Sequence, residues 1–338
     1  MNDRPASSSR KKGTRPRRFF FALVPASLVA LVALGTGAAP AADAPPAKTV
    51  TVNCDAGQTI GKALDRVRSG ATLTVSGTCR ESVFIPRELT GVTFDGQGSA
   101  TLQGPPADAP ATSPDAFTVF VEGTDITVKG FTIIGGSHGI HLSGPASVVI
   151  NDNVIRETAG AIHLDKGSIG QVFGNTIEDN QGIGINLQEN SYARVGFRIP
   201  TQPQTAPNTI RDNEGAGIVV GRWSSAWIVG NTIAGNDGDG VLVDRNSQAD
   251  VVGNRIDGNT GDGISARYNS GVNLISEDTP RAEGPNATDP TAPNAGVGIR
   301  CEIDGYVAGP QGTLIGAAGP RHVDDSCVDR LVPGEDSP

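Results

Sequence analysis

One short run of residues recurs between Ser168 and Ile275, and recurrence at this spacing restricts the chain to a stacked architecture. GNTI at 174–177, PNTI at 207–210, GNTI at 230–233 and GNRI at 253–256 are each followed by a polar turn and a short apolar segment. Those segments are Ile183-Gly184-Ile185, Gly217-Ile218-Val219, Gly240-Val241-Leu242 and Gly263-Ile264-Ser265. Asn175, Asn208, Asn231 and Asn254 step by 33, 23 and 23 residues. Ser168, Ser191, Ser224, Ser247 and Ser270 step by 23, 33, 23 and 23, so two independent columns share one period. A fixed period in the twenties implies a solenoid. After each serine, small or aliphatic residues (Ala193/Val195, Ala226/Ile228, Ala249/Val251, Val272/Leu274) alternate with polar ones such as Arg194, Asp250 and Asn273. That is the pattern of a strand with one buried face. Units of strand and turn this short cannot enclose a core alone, so they must stack coil on coil. Like residues then lie about 4.8 Å apart. The Asn column, and a second one at Asn180, Asn213, Asn236 and Asn259, should hydrogen-bond along the axis and satisfy the turn backbone.

The Gly-Asn-x-Ile … Gly-x-Gly-Ile unit resembles the parallel β-helix repeat of the pectate-lyase-like superfamily, best over residues 120–275. The resemblance implies an all-β, right-handed parallel β-helix. About seven to eight coils and a short N-terminal capping helix are expected. The helix falls at Gln58–Arg68, where Ile60, Ala63, Leu64 and Val67 make an apolar stripe. Gly57, Ala63-Leu64, Gly77, Glu81 and Thr93-Phe94-Asp95-Gly96 resemble the first coil of secreted polysaccharide-degrading β-helices. The fold hosts lyases, hydrolases, esterases, epimerases, tailspikes and inert surface proteins, so it does not specify an activity. Family motifs depart from pattern here. Ser137-His138-Gly139 matches one polygalacturonase motif without its partners, and Arg198-Ile199-Pro200 matches half of a pectate lyase run before Pro203 replaces its second arginine.

The chain divides into 1–44, a signal peptide; 45–104, an N-terminal cap and first coil; 105–300, the repeats; and 301–338, a C-terminal cap and tail. A basic head ending in Arg17-Arg18 precedes an apolar run from Phe19 to Leu34 and small-residue cleavage sites. That order reads as an export signal of Sec or twin-arginine type. It implies a secreted, periplasmic or cell-surface protein with no membrane segment after cleavage. The whole chain carries −9, and losing the basic head makes the remainder more acidic, which disfavours nucleic acid as a partner. Cys54, Cys79, Cys301 and Cys327 flank the repeats. Four cysteines allow three connectivities. Because the ends of a solenoid lie far apart, 54–79 and 301–327 are expected, each stapling one end. The tail after Cys327 is expected to fray.

Two stripes could carry chemistry. Insertions at 197–207 and 276–295 fall at the same turn, three coils or about 14 Å apart. Between them lie Trp227 and Asp250, which would floor a groove for sugar rings. The second stripe follows the Gly turn. His138 lies beside it, His141 and His163 share one outward position in successive coils, and Asp165 and Lys166 follow. Asn186, Gln188, Glu189, Arg222, Asp244, Arg245 and Arg267 continue it. Histidine beside a carboxylate can serve as base or acid near neutrality. Lys166 or Arg245 would neutralise a uronate carboxylate. His141, His163, Asp165 and Lys166 are therefore the catalytic candidates, with Trp227, Asn186, Gln188, Arg222, Arg245 and Arg267 as substrate-binding candidates.

Three functions are compatible with the sequence: a lyase or epimerase of uronate-rich polysaccharide, a non-catalytic glycan-binding solenoid, and a periplasmic metal-binding protein like the β-helices of copper-site maturation. No cofactor is required by the first two. The stacked GDG turns carrying Asp239 and Asp262 offer calcium a place. Oligomeric state is left open between monomer and trimer.

Overall fold

The computed structural model describes residues 48–110, 112–198, 204–275 and 284–332. The signal-peptide segment lies outside the described residues, as does part of each insertion. Among the described residues no helix is long and apolar enough to cross a membrane.

Strand follows strand in parallel register, one coil directly above the last. The first strand of each coil forms a continuous ladder from Thr49–Asn53 through Thr72–Ser76, Ser147–Asn151, Ser225–Val229 and Gln248–Val252 to Val328–Val332. Twelve rungs stack in this ladder, more than the seven to eight expected. The additional rungs lie in segments read as caps. In the N-terminal part the Asn columns are absent, and the Thr93–Gln103 strand shifts register between Asp95 and Ala100, which hides the period. At the other end Val328–Val332 pairs with Tyr306–Pro310, so the chain after Cys327 forms a strand where fraying was expected.

The first and second strands of each coil join into an 18-stranded sheet, and the third strands make a 10-stranded sheet of their own. Side chains pointing inward pile into apolar columns: Ile140, Ile162, Ile185, Ile218, Val241, Ile264 and Ile299 are all essentially buried. Gly240, at the entry to a third strand, is required by this stacking. A Cβ there would sit 2.7 Å from the Gly263 carbonyl oxygen of the next rung.

Both Asn columns form. Each side-chain amide donates to the next Asn Oδ1, from Asn153 through Asn175, Asn208, Asn231 and Asn254 to Asn286, at 2.9–3.1 Å. The second column runs from Asn180 through Asn213, Asn236 and Asn259 to Asn294 at 2.8–2.9 Å. Asn153, Asn286 and Asn294 extend the columns beyond the sequence match.

The capping helix is present but short, Ile60–Leu64. Its free N-terminal amides are taken by Glu81, whose Oε1 accepts from Ile60 at 2.7 Å and whose Oε2 accepts from Gly61 at 3.0 Å. Both expected disulfides form, Cys54–Cys79 and Cys301–Cys327.

Candidate functional site

The third strands present one outward residue per rung. In register these are Phe84, Phe120, His141, His163, Asn186, Val219, Leu242, Ser265, Arg300 and His322. The aromatic end of this column and its imidazoles form one stacked block. The His141 and His163 rings lie 4.9 Å apart at 26°. His138, three residues earlier, folds back so that its ring stacks on His163 at 4.6 Å. Phe117 covers the block from the first rungs, 4.3 Å from the His141 ring and 5.4 Å from that of His138. His138 was noted in the sequence but not grouped with the catalytic candidates, because a spacing of three across a turn has no simple strand period.

A hydrogen-bond chain runs through the block. Gln188 Nε2 donates to Asn186 Oδ1 at 2.7 Å, which turns the Asn186 amide nitrogen toward His163 Nδ1 at 3.1 Å. His163 Nε2 and His141 Nε2 then face Asp165 Oδ2 at 3.9 and 3.4 Å. His138 Nδ1 lies 3.0 Å from His141 Nδ1. With Asn186 donating, His163 carries its proton on Nε2, and with His141 donating to Asp165, His138 must supply the proton between the two Nδ1 atoms. Lys166 extends over Asp165, its Nζ 3.7 Å from the carboxylate and 3.2 Å from the Ser143 hydroxyl, and it stays largely exposed.

Burial and mutual repulsion favour the neutral form at His138 and His163. Desolvation, then the charges of His163 and His141, push the His138 pKa down to about 3. Desolvation and His141 lower that of His163 to about 4, with a smaller push from Arg222. At Asp165 desolvation works upward, but hydrogen bonds from His141 and Ser143 and the charges of His141 and Lys166 outweigh it, leaving a pKa of about 2. The second oxygen, Asp165 Oδ1, is buried without a hydrogen-bond partner. Imidazoles beside an ionised carboxylate can accept a proton or ligate a metal. The donor atoms of His141, His163 and Asp165 all lie within 4.8 Å of one another.

The other candidate residues separate into three groups. Asn186 and Gln188 belong to the histidine cluster. Arg222 and Arg245 occupy equivalent turn positions two and three rungs above His163, about 10 and 14 Å along the axis. Arg245 is therefore too far to share one sugar carboxylate with His163, whereas Lys166 is not. Arg267 ion-pairs with Asp239, and Arg300, which the sequence reading passed over, does the same with Asp262. Asp239 Oδ1 also accepts the Asp262 amide at 2.8 Å. These arginines supply positive charge to the two stacked carboxylates, at the turns that offered calcium a place.

Trp227 lies away from the cluster, on the outward face of the 18-stranded sheet, between Arg194 and Asp250 in register. Phe197 stacks on it with centroids 6.0 Å apart, and the Arg194 guanidinium stands 5.5 Å over its ring. It does not join the histidine cluster in one site.

Known proteins bear on this architecture. The family model described as a periplasmic copper-binding protein (NosD) matches residues 72–196, and that of a right handed beta helix region matches residues 190–280. Among solved structures, a double mutant of the periplasmic alginate epimerase AlgG is similar at 13% identity, covering 85% of this chain and 73% of that one with a TM-score of 0.53. A single mutant of the same epimerase shows 16% identity over 79% of this chain, but only 61% of its own length is spanned, with a TM-score of 0.49. The A-module of the Azotobacter vinelandii mannuronan C-5 epimerase AlgE4 is 15% identical over 84% and 96% of the two chains, with a TM-score of 0.46. At such identities likeness establishes the fold alone. No curated protein matches the sequence.

Proposed function

The chain is a right-handed parallel β-helix, and from that premise we propose that it acts on the uronate residues of an acidic polysaccharide. One arrangement carries the proposal: His163, Asp165 and Lys166 crowd one stripe, so that an imidazole, a carboxylate and a largely exposed ammonium can reach one sugar ring. Breaking the C5–H bond beside a uronate carboxylate requires a base for the proton and positive charge near the carboxylate oxygens that take up the electron pair. Lys166 supplies that charge. Asn186 turns its amide from His163 to the substrate, which frees the Nδ1 lone pair for the C5 proton. Asp165, its Oδ2 3.9 Å from Nε2, then steadies the imidazolium by its charge. Return of a proton from the opposite face gives the C5 epimer. Departure of the 4-linked oxygen, protonated as it leaves, gives an unsaturated end. His141, buried with both nitrogens engaged, is a positioning residue for Asp165. The alginate epimerases among the fold relatives support the substrate class.

The test is exchange of the C5 proton in heavy water, read by NMR across a panel of uronate polymers. Exchange is expected in the wild type and absent in His163→Ala, with Lys166→Ala reduced by about 10²-fold or more. Activity should hold from neutrality down to about pH 4 and fall below it as His163 protonates. Exchange that survives His163→Ala removes the base from this residue, and no exchange on any polymer ends the catalytic proposal.

A second reading is favoured by a specific observation. The region matched by the copper-binding family spans His138, His141, His163 and Asp165. The closely spaced imidazoles and the unpartnered Asp165 Oδ1 make a donor set that suits copper. His141, His163 and Asp165 would hold the ion. Calorimetry with copper(II) should then show one equivalent bound, with nitrogen couplings in its EPR spectrum that are lost in His163→Ala. Absence of heat rejects this reading and leaves the first untouched.

A further inference from the structure

We propose that Trp223 and Tyr268, with the guanidinium groups of Arg222 and Arg245, form a separate subsite that holds a sugar ring of an anionic saccharide. It rests on the proposed substrate class but on none of the catalytic residues.

From Lys166-Gly167 onward to Ile303-Asp304, the turn joining a third strand to the next first strand uses two consecutive left-handed residues. Glu189-Asn190, Arg222-Trp223, Arg245-Asn246, Tyr268-Asn269 and Ile303-Asp304 all adopt it, and a backbone bond from each to the next turn stacks them. At the second position Gly167, Asn190, Asn246, Asn269 and Asp304 are residues that tolerate positive φ. Trp223 holds the same position at φ +69° with 67% of its surface exposed. Tyr268, at φ +53° in the neighbouring column, is 49% exposed. Neither backbone preference nor burial accounts for a large aromatic residue at these positions. Strained, exposed side chains of this kind point to a ligand.

The two rings line one cleft of about 450 Å³, with Arg222, Arg245 and Asn246 as the rest of its wall. That volume lies in the range of small-ligand sites. The aromatic turns are two rungs apart, about 10 Å along the axis, with Arg245 between them. Arg222 contacts Glu189 at 3.6 Å and Arg245 contacts Asp244 at 3.0 Å, which leaves most of the five N–H donors of each guanidinium outward. Aromatic faces receive the C–H side of a pyranose ring, and a guanidinium fork receives its carboxylate in bidentate fashion. An apolar partner would waste the arginines, and a neutral sugar would leave them without an anion. The cleft lies two rungs along the axis from His163, so a saccharide parallel to the solenoid could occupy both.

The experiment is titration of the full chain with uronate oligosaccharides of defined length and with their methyl esters, followed by tryptophan fluorescence and calorimetry. Binding to the acids with little binding to the esters is expected. Trp223→Ala and Tyr268→Ala should each weaken Kd at least about tenfold. Trp223→Asn installs the residue that adjacent turns use, so it should raise Tm while losing the ligand. A purely structural role for Trp223 would lower Tm instead. Wild-type affinity in Trp223→Asn, equal binding of the esters, or no binding of any oligosaccharide overturns the proposal. Binding of the acids at this cleft without any C5 proton exchange, or exchange unaffected by Trp223→Asn, tells the failure of one proposal from that of the other.

Discussion

At the residue scale, the imidazole block trades stability for a set of neutral nitrogens. His138 and His163 have folded pKa values of about 3 and 4 against 6.5 for the free side chain. Between those values the unfolded chain binds protons that the folded one refuses, so stability falls as pH drops from about 6.5 towards 3. Asp165 acts in the same direction in a lower window. Its folded pKa of about 2 lies below 3.8, so the stability it contributes is complete above 3.8 and lost as pH falls through 2. A His138→Gln, His163→Gln double variant should therefore lose less Tm than the wild type between pH 6.5 and 4 and converge with it above 7. Parallel curves across that window would show that burial does not hold these rings neutral. The Asn columns are the opposite case. The Asn231 amide donates to Asn254 and to the Val195 carbonyl while its oxygen accepts from Asn208, so a buried polar side chain is fully paired and needs no water.

At the element scale, the coil is the unit of folding, and its ends are the weak points because a terminal rung has one neighbour instead of two. Each disulfide lies at such an end. Cys54–Cys79 ties the residues before the capping helix to the second coil, and Cys301–Cys327 ties the last third strands to the final rungs. Both close loops of about 25 residues, where a bridge contributes roughly 3 kcal/mol. Replacing Cys301 and Cys327 by serine should raise hydrogen exchange in Tyr306–Pro310 and Val328–Val332 while Ser225–Val229 keeps its protection. Exchange that rises evenly along the solenoid would mean that the rungs unfold together. The same nearest-neighbour logic explains what was legible from sequence. The register of Asn175, Asn208, Asn231 and Asn254 could be read directly, because the buried amides recur in every coil from Asn153 to Asn286. The rungs within 45–104 read as a cap because their turns lack that mark and one strand shifts register. The pairing of His141 with His163 followed from a step of 22, but the folding back of His138 depends on a turn that no strand period describes. Trp223 had a readable signal, since it precedes a column serine where Gly167, Asn190, Asn246 and Asn269 stand in the other coils.

At the scale of the whole molecule, local and overall charge oppose one another. The chain carries −9, yet Arg222, Arg245, Arg267 and Arg300 gather on the later coils of one stripe. An anionic polymer would meet these two fields at different ranges. At 0.01 M salt the screening length is about 30 Å, so an approaching polyuronate feels the repulsion of the entire acidic surface. At 0.15 M it shrinks to about 8 Å, and only charges close beneath the polymer still act. The association rate constant for a uronate oligosaccharide should therefore increase over that interval, by a few-fold on the scale of electrostatic steering, whereas simple attraction to a basic face would make it decrease. Stopped-flow tryptophan fluorescence at graded sodium chloride decides the sign. A rate that falls steadily with salt would place the arginines, rather than the net charge, in control of approach. The neutral methyl esters provide the reference, because their approach should hardly respond to salt at all.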